Sequence, residues 1–406
     1  MATAQLTKRC THPLNASTFD DDEINAAIVV LQSKMVTMGK LCADFEKKFS
    51  NYVSIQDAVF LNSGSSANLL AFFSLINPLC PTPQHKQCVL PGDEVIVPAI
   101  TWSTTIWPIV QAGLVPVLVD CDPYTLQMDP QSVKNALSDR TKIICPVHVL
   151  GNGVDMDFIL SFSEENKLWI IEDTCESLGT TYHNQFLGTM GDIGTYSFFF
   201  SHHITTIEGG MIVSKHEALT ELFRCQRAHG WARSLKNKAA LEKKYPDIDP
   251  RFLFVNTGFN LRPTEINAAF GLSQLDKLKN FNEKRIAIAN SWTTTFSNII
   301  KQQYFTPMKI TPNVNATWFG YPILCRDIAL RKQLQAYLEK NGIETRPIIS
   351  GNMARQPAFK FIQHRIANRL NGADRVMENG LFWGSHPFMT NDQINYVTKT
   401  VLEFFK

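Results

Sequence analysis

The stretch Thr195-Tyr-Ser-Phe-Phe-Phe-Ser-His-His-Ile-Thr-Thr-Ile-Glu-Gly-Gly210 decides how the rest of this chain is read. An aromatic, β-prone run ends in Ser201 and two histidines, His202 and His203. A polar turn and a Gly-Gly pair follow, and a second apolar run begins at Met211. An imidazole exchanges its proton near neutral pH, with an unperturbed pKa of ~6.5. A histidine at the end of a buried strand is therefore either a proton shuttle or a structural group that finishes the strand.

Outward from this stretch, short β-rich runs alternate with helical ones. Strands are predicted at Val95–Val97, Val115–Asp120, Lys142–Val147, Trp169–Asp173, Thr195–Phe200 and Met211–Val213. Helices are predicted near Ala67–Leu75, Pro130–Leu137, Asp155–Glu164 and His216–Arg224. Near-continuous apolar strands in such alternation predict an α/β fold with a mostly parallel sheet covered on both faces. Upstream, a helix over about Asp20–Ser33 is expected, capped by Ser17 or Thr18. Leu41, Phe45 and Phe49 mark a second helix. Pro263–Leu275 reads as a helix with proline in its first turn, continued by a polar-faced helix to about Asn298. Shorter elements follow at Trp318–Leu324, Ile328–Lys340 and Asn391–Phe405. A large domain over 1–275 and a smaller α+β domain over 276–406 are expected. Pro78–Pro91 and Trp231–Phe254 read as irregular surface segments.

Composition bounds the answer without giving it. The chain has 406 residues, 44% of them hydrophobic and 19% charged, and a net charge of +2, which makes no electrostatic case for nucleic acid or a membrane surface. Met1–Asn15 lacks an apolar core of signal length, and no run reaches the ~18 apolar residues of a membrane span. The nine cysteines are odd in number and scattered, as reduced thiols in a cytoplasmic protein would be. No Cys-x-x-Cys or His-x-x-x-His pair suggests a metal site.

Several clusters could carry chemistry. Asn62-Ser-Gly-Ser-Ser-Ala-Asn68 follows a strand and opens a helix, so Gly64, Ser65 and Ser66 form a candidate phosphate cradle or an ordinary turn with a cap. Ile170-Ile-Glu-Asp-Thr-Cys-Glu176 places Glu172, Asp173 and Glu176 where parallel strands present ligands. A carboxylate there can keep a pyridine nitrogen protonated, or it can cap the following turn. Trp102, just beyond another strand, is either a core residue or a face for a planar ring. Asn260 and Arg262 precede a helix, and the loop Glu344–Pro357 combines Arg346, Asn352 and Arg355. Arginine's donor fork suits carboxylate or phosphate, although a surface loop would look the same.

Together these pieces resemble the DegT/StrS family of sugar aminotransferases, which have the fold-type I architecture of pyridoxal 5'-phosphate (PLP) enzymes. The family signature is Ser-Phe-x-x-x-Lys-x-Ile-Thr-x-x-Glu-Gly-Gly, and counting from Ser197 places His202 in the lysine slot. An imidazole cannot hold the cofactor aldehyde covalently as lysine does. Three features resemble the branch of PLP-dependent 3-dehydratases that act on nucleotide 4-keto-6-deoxysugars: His202-His203-Ile-Thr, Glu176 where glutamine is usual, and Gly351-Asn-Met-Ala-Arg-Gln-Pro357 with Leu381-Phe-Trp-Gly384.

The resemblance implies roles. Gly64, Ser65, Ser66 and Ser197 would hold the cofactor phosphate, with Asn260 reaching it from the partner of a homodimer. Asp173 would pair with the pyridine nitrogen, Trp102 would stack on the ring, and Glu176 would face its oxygen edge. His202 would be the acid–base residue, and Arg346 and Asn352 would contact substrate. The cofactor would cycle between PLP and pyridoxamine 5'-phosphate with glutamate as amine donor. The C3 hydroxyl of the sugar would be lost and ammonia released. One subtype of this branch carries an iron–sulfur cluster, which needs four closely held thiolates. That subtype's Cys-x-Cys pair is absent here, so the cluster-free kind is expected. Left open at this point are an external-donor dehydrase, an aminotransferase with an unusual base and a cofactor-binding regulator without catalysis.

Overall fold

A computed structural model describes residues 11–406; the reading of Met1–Asn15 lies, for residues 1–10, outside the described residues. Strands β1 (Ala58–Leu61), β2 (Glu94–Pro98), β3 (Val115–Val119), β4 (Thr141–Ile144) and β5 (Trp169–Asp173) lead to a short hairpin. The hairpin is β6 (Thr181–Tyr182) and β7 (Gln185–Phe186), and β8 (Ile193–Ser197) and β9 (Gly210–Ser214) follow. The main sheet has the order β1-β9-β8-β5-β4-β2-β3, with the short strand Arg365–Ile366 at the far edge. β8, β5, β4, β2 and β3 run parallel. β9 alone reverses, pairing antiparallel with both neighbours. Every residue of β2, β3, β5, β8 and β9 is buried, which is why these strands read as unbroken apolar runs.

Helix α1 (Asp21–Ser33) is capped by Asp20, whose side chain accepts the Asp22 amide while Glu23 reaches back to the Asp20 N–H at 2.9 Å. This corrects the expected cap: Thr18 is buried and donates to Gln274 at 3.0 Å. A hydroxyl committed to a core amide cannot also serve the helix end. Helix α2 (Lys40–Tyr52) buries Phe45 and Phe49 against the sheet face that carries Phe60 and Phe198. Both helices pack on the 31-residue helix Glu265–Thr295.

That long helix is capped by Thr264 in a capping box with Asn267, so Pro263 precedes the cap and does not sit in the first turn. It passes residue 275 unbroken. Beyond it lies a four-stranded antiparallel sheet of Phe305–Pro307, Tyr321–Cys325, Gly380–Trp383 and Thr345–Arg346, covered by helices Ile328–Lys340 and Asn391–Phe404. The segment Trp231–Phe254 is less irregular than its sequence implies, because it contains the helix Lys238–Lys244. Among the described residues no helix is long and apolar enough to cross a membrane.

Candidate active site

A pocket of about 560 Å³ opens at the carboxyl ends of the parallel strands. Ser63–Ser65 follow β1, Thr101–Thr105 follow β2, Asp173–Glu176 end β5, and Ser197–His202 end β8. The smaller sheet closes the opposite wall with Arg346 and Phe382, joined by Phe319 just before the strand Tyr321–Cys325, and Leu14–Asn15 complete it. Such a crevice is where a parallel sheet exposes free strand ends and helix N-termini together.

Helix α3 (Gly64–Leu75) starts on this pocket. Ser63 is its cap, accepting the Ser66 amide at 3.0 Å. A Cβ at Gly64 would collide with Cβ of Ser197, so glycine is what lets β8 close over the helix start. Gly64, Ser65 and Ser197 thus come together at the positive end of a helix, a natural seat for an anion. Ser63 joins them, although the sequence offered it only as a turn residue. Ser66 does not line the pocket, because its hydroxyl accepts from Ser63 at 2.9 Å.

The three acids at the end of β5 have different fates because the strand alternates sides. Glu172 points away and accepts the amides of Gly188, Met190 and Gly191 at 2.8, 2.9 and 2.5 Å. Asp173 points into the pocket with Oδ2 accepting from Asn68 at 2.9 Å and Thr105 at 2.7 Å, and Oδ1 accepting the Cys175 amide at 3.1 Å. Neither Asn68 nor Thr105 was expected in the site, yet Asn68 ends the stretch Asn62–Asn68 already singled out, and Thr105 lies three residues after Trp102. Glu176 accepts one hydrogen bond, from the Leu150 amide at 3.0 Å. Burial pushes its pKa up to about 7, outweighing that bond, and Asp173 nearby adds to the rise. Near neutrality this carboxyl can therefore carry a proton.

His202 borders the pocket just beyond β8, with its ring edge-on to Phe199 and Phe319 at 6.0 and 5.4 Å. Although part of the residue opens into the pocket, the surrounding walls desolvate the ring. Burial lowers its pKa to about 4, against the opposing pull of the Cys175 carbonyl and Asp173. The unperturbed value assumed from sequence is thereby corrected: at neutral pH His202 is an uncharged imidazole, poised as a base, and its conjugate acid gives the proton back more readily than an ordinary imidazolium. His203 faces the other way, its Nε2 at 2.7 Å from the Thr317 carbonyl.

Trp102 caps the pocket rim and is 56% exposed, so it is not the core tryptophan of the simpler reading. Arg346 lines the pocket with its guanidinium on Glu344 at 2.5 Å. Asn352 does not join them: it is fully buried, donates to Asp374 at 2.8 Å and caps the turn at Ala354. Asn260 is exposed and lies outside the pocket, its side chain accepting from Arg262 at 3.0 Å. No lysine lines the pocket among the described residues.

The chain belongs to the DegT/DnrJ/EryC1/StrS aminotransferase family, whose pattern matches residues 17–402. Within that family it is similar to the GDP-4-keto-6-deoxy-D-mannose 3-dehydratase of Escherichia coli O55:H7, at 38% identity over 96% of this chain and 99% of that protein. The structure of an E. coli GDP-4-keto-6-deoxy-D-mannose-3-dehydratase with bound hydrated PLP superimposes with a TM-score of 0.88 at 36% identity, over 97% of this chain and 100% of the other. A GDP-4-keto-6-deoxymannose-3-dehydratase with a trapped PLP-glutamate geminal diamine matches at 0.87 and 36%, over 96% and 100%. The fold is therefore that of the fold-type I PLP enzymes.

Proposed function

We propose that this protein is a PLP- and pyridoxamine-phosphate-dependent 3-dehydratase that removes the C3 hydroxyl of a nucleotide-linked 4-keto-6-deoxyhexose, with glutamate as amine donor. The observation that carries this is the placement of a base, His202, beside Asp173 in a pocket without lysine. The pocket's chemistry fits the cofactor. A helix N-terminus with Ser63, Ser65 and Ser197 suits its phosphate, Asp173 suits its pyridine nitrogen, and the exposed indole of Trp102 suits its ring face. Cofactor of this kind, when bound, supplies an electron sink that makes a proton on its exocyclic carbon removable.

Asp173, fixed by Asn68, Thr105 and the Cys175 amide, would pair with the ring nitrogen and keep it protonated. His202 takes up a proton as imidazole and returns it to the departing hydroxyl oxygen as imidazolium. Glu176, protonated below about pH 7, would donate a hydrogen bond at the ring's oxygen edge. Arg346, which lines the pocket, would receive an anionic part of the substrate.

We further propose that two subunits complete the site, with Asn260 serving the partner's phosphate seat. Support comes from exposed apolar side chains at and next to the pocket-lining residues: Phe199, Phe200 and Ile207 are 44%, 42% and 45% exposed, and Trp102 more so. A cytoplasmic location accords with a soluble nucleotide-sugar substrate. The test is incubation with PLP, glutamate and a panel of nucleotide 4-keto-6-deoxysugars, GDP-linked first, with products identified by mass spectrometry. The expected product is lighter than the substrate by one oxygen atom, with ammonia released each turnover. A product bearing an amine at C4 with its C3 hydroxyl intact would overturn the proposal.

A further inference from the structure

Behind the pocket the structure buries a cation without a counter-ion. Arg285, on the helix Glu265–Thr295, is 1% exposed. Its one hydrogen bond runs from Nη1 to the Phe319 carbonyl at 2.9 Å, and its Nε is buried without a partner. Among the described residues no carboxylate lies within ion-pair distance of it. An unpaired buried charge costs several kcal/mol, about as much as a whole domain can spare. Packing alone is a poor reason to keep one, since methionine would fill a similar space.

What surrounds Arg285 suggests the reason. The residue it holds, Phe319, lies edge-on to His202 at 5.4 Å and to His203 at 6.0 Å. His203 is pinned on the same segment through Thr317. A third buried imidazole, His386, follows the strand Gly380–Trp383 and also sits in the field of Arg285. The groups acting on this cluster are few. Asp173 and Arg285 act on His202, Arg285 and His202 act on His203, and Arg285 and His12 act on His386. Asp173 is the sole carboxylate in that set, and it sits on the pocket side.

We propose that Arg285 is a positioning residue for the reaction: its hydrogen bond fixes Phe319 against the His202 and His203 rings, and its uncompensated charge adds to burial in favouring the neutral imidazole at His202, His203 and His386. The inference rests on the assignment of His202 as the acid–base residue. Burial is the main force on each ring, and the guanidinium adds to it in the same direction. Burial by itself leaves a ring free to regain charge whenever water enters the pocket. A fixed cation on the far side opposes protonation whether the pocket is wet or filled. Burial also lowers the pKa of Arg285 itself, to about 10, which still leaves it charged under all conditions where the enzyme would work.

The test is a histidine titration by NMR on the full-length protein with labelled imidazole carbons, with the His202 signal identified from its loss in His202→Asn. Arg285→Gln keeps a donor for Phe319 but removes the charge, and Arg285→Lys keeps the charge. In the glutamine variant the His203 and His202 titrations should both rise, and the acid limb of the pH–rate profile should rise with His202. The lysine variant should titrate like the wild type. Equal titrations in glutamine variant and wild type would overturn the proposal, as would a lysine variant that behaves like glutamine. Should the glutamine variant not fold, the wild type decides: His203 or His386 gaining its proton near ~6.5, the ordinary value, would equally overturn it. Failure of the His202 assignment would appear separately, as a His202→Asn enzyme with wild-type turnover, and would leave the titrations untouched.

Discussion

Around Glu46 every buried charge is answered. Its carboxylate accepts the Phe60 amide at 2.9 Å and meets Arg227 at 2.6 Å and Arg224 at 2.7 Å, and Arg224 also meets Asp57 at 2.5 Å. Around the pocket the opposite holds. Among the described residues Glu176 has one hydrogen bond, the His202 ring is largely desolvated, and Arg285 has no anion within ion-pair distance. Both regions lie under comparable burial, so the difference is one of purpose. Paired charges stay fixed in one protonation state and tie α2, β1 and the helix Glu217–Arg227 together. Unpaired ones are pushed by burial toward their neutral forms, up for the Glu176 carboxyl and down for the His202 imidazole, at a cost in stability that the rest of the fold absorbs.

The comparison breaks hardest at His202. Its replacement by asparagine should lower turnover by about 10²–10⁴-fold, the usual range for a positioned acid–base group. PLP absorbance should remain bound to the protein. Borohydride treatment of the wild-type PLP form should leave no pyridoxyl-lysine on a peptide map, and a labelled lysine from this pocket would remove His202 from its role. On the paired side, Glu46→Gln should cost about 3–5 kcal/mol in urea unfolding at neutral pH, since it strands Arg227. Burial disfavours the ionised Glu46, but Arg227 and Arg224 outweigh it and hold its pKa below the ordinary 4.5. Such a depressed acid stabilises the fold above its ordinary pKa and loses that contribution as pH falls through the folded value. The penalty of the variant should therefore shrink in acid, and a pH-independent penalty would mean packing, not charge.

A smaller effect sharpens the contrast. His202 must be unprotonated, above about 4, and Glu176 must be protonated, below about 7, so kcat/KM should be bell-shaped between those limits. The signs follow from burial, which favours the neutral form of each. Glu176→Gln, which cannot ionise, should abolish the basic limb and leave the acidic limb in place. A basic limb unmoved by that change would assign it to another group.

Much of this was legible in the chain, and the exceptions share a cause. The strands were readable because parallel sheets bury both faces, and His202, Asp173 and Trp102 were readable because strand ends are where such sheets meet ligands. Asn68 was not, since an asparagine inside a helix shows no period that says which side chain it will meet. Asn352 was misjudged for the complementary reason: a polar loop residue looks alike whether it faces a ligand or caps a turn. Arg285 stands among Lys279, Glu283 and Lys284 on a long helix whose charged residues read as a solvated face, and only tertiary packing turns it inward. The lowered pKa of His202 is likewise a property of burial against walls that include Phe199 and Phe319, far apart in sequence.

The smallest expected effect tests whether the comparison extends across two subunits. Asn260 is exposed, and its side chain is engaged by its neighbour Arg262. Within one chain it is therefore an ordinary residue preceding a helix. In the proposed dimer it would donate to the phosphate seated at the partner's Ser63–Ser65 turn, a hydrogen bond to a charged group. Removing one such partner typically costs about 1–3 kcal/mol. Asn260→Ala should thus weaken PLP binding by roughly 5- to 150-fold, read by equilibrium dialysis, while thermal unfolding without cofactor stays unchanged because no intrachain core contact is lost. The dimer must persist in the variant for the comparison to be fair, which sedimentation would show. Unchanged affinity in an intact dimer would return Asn260 to the status of a helix-start polar group and leave each phosphate seat to its own subunit.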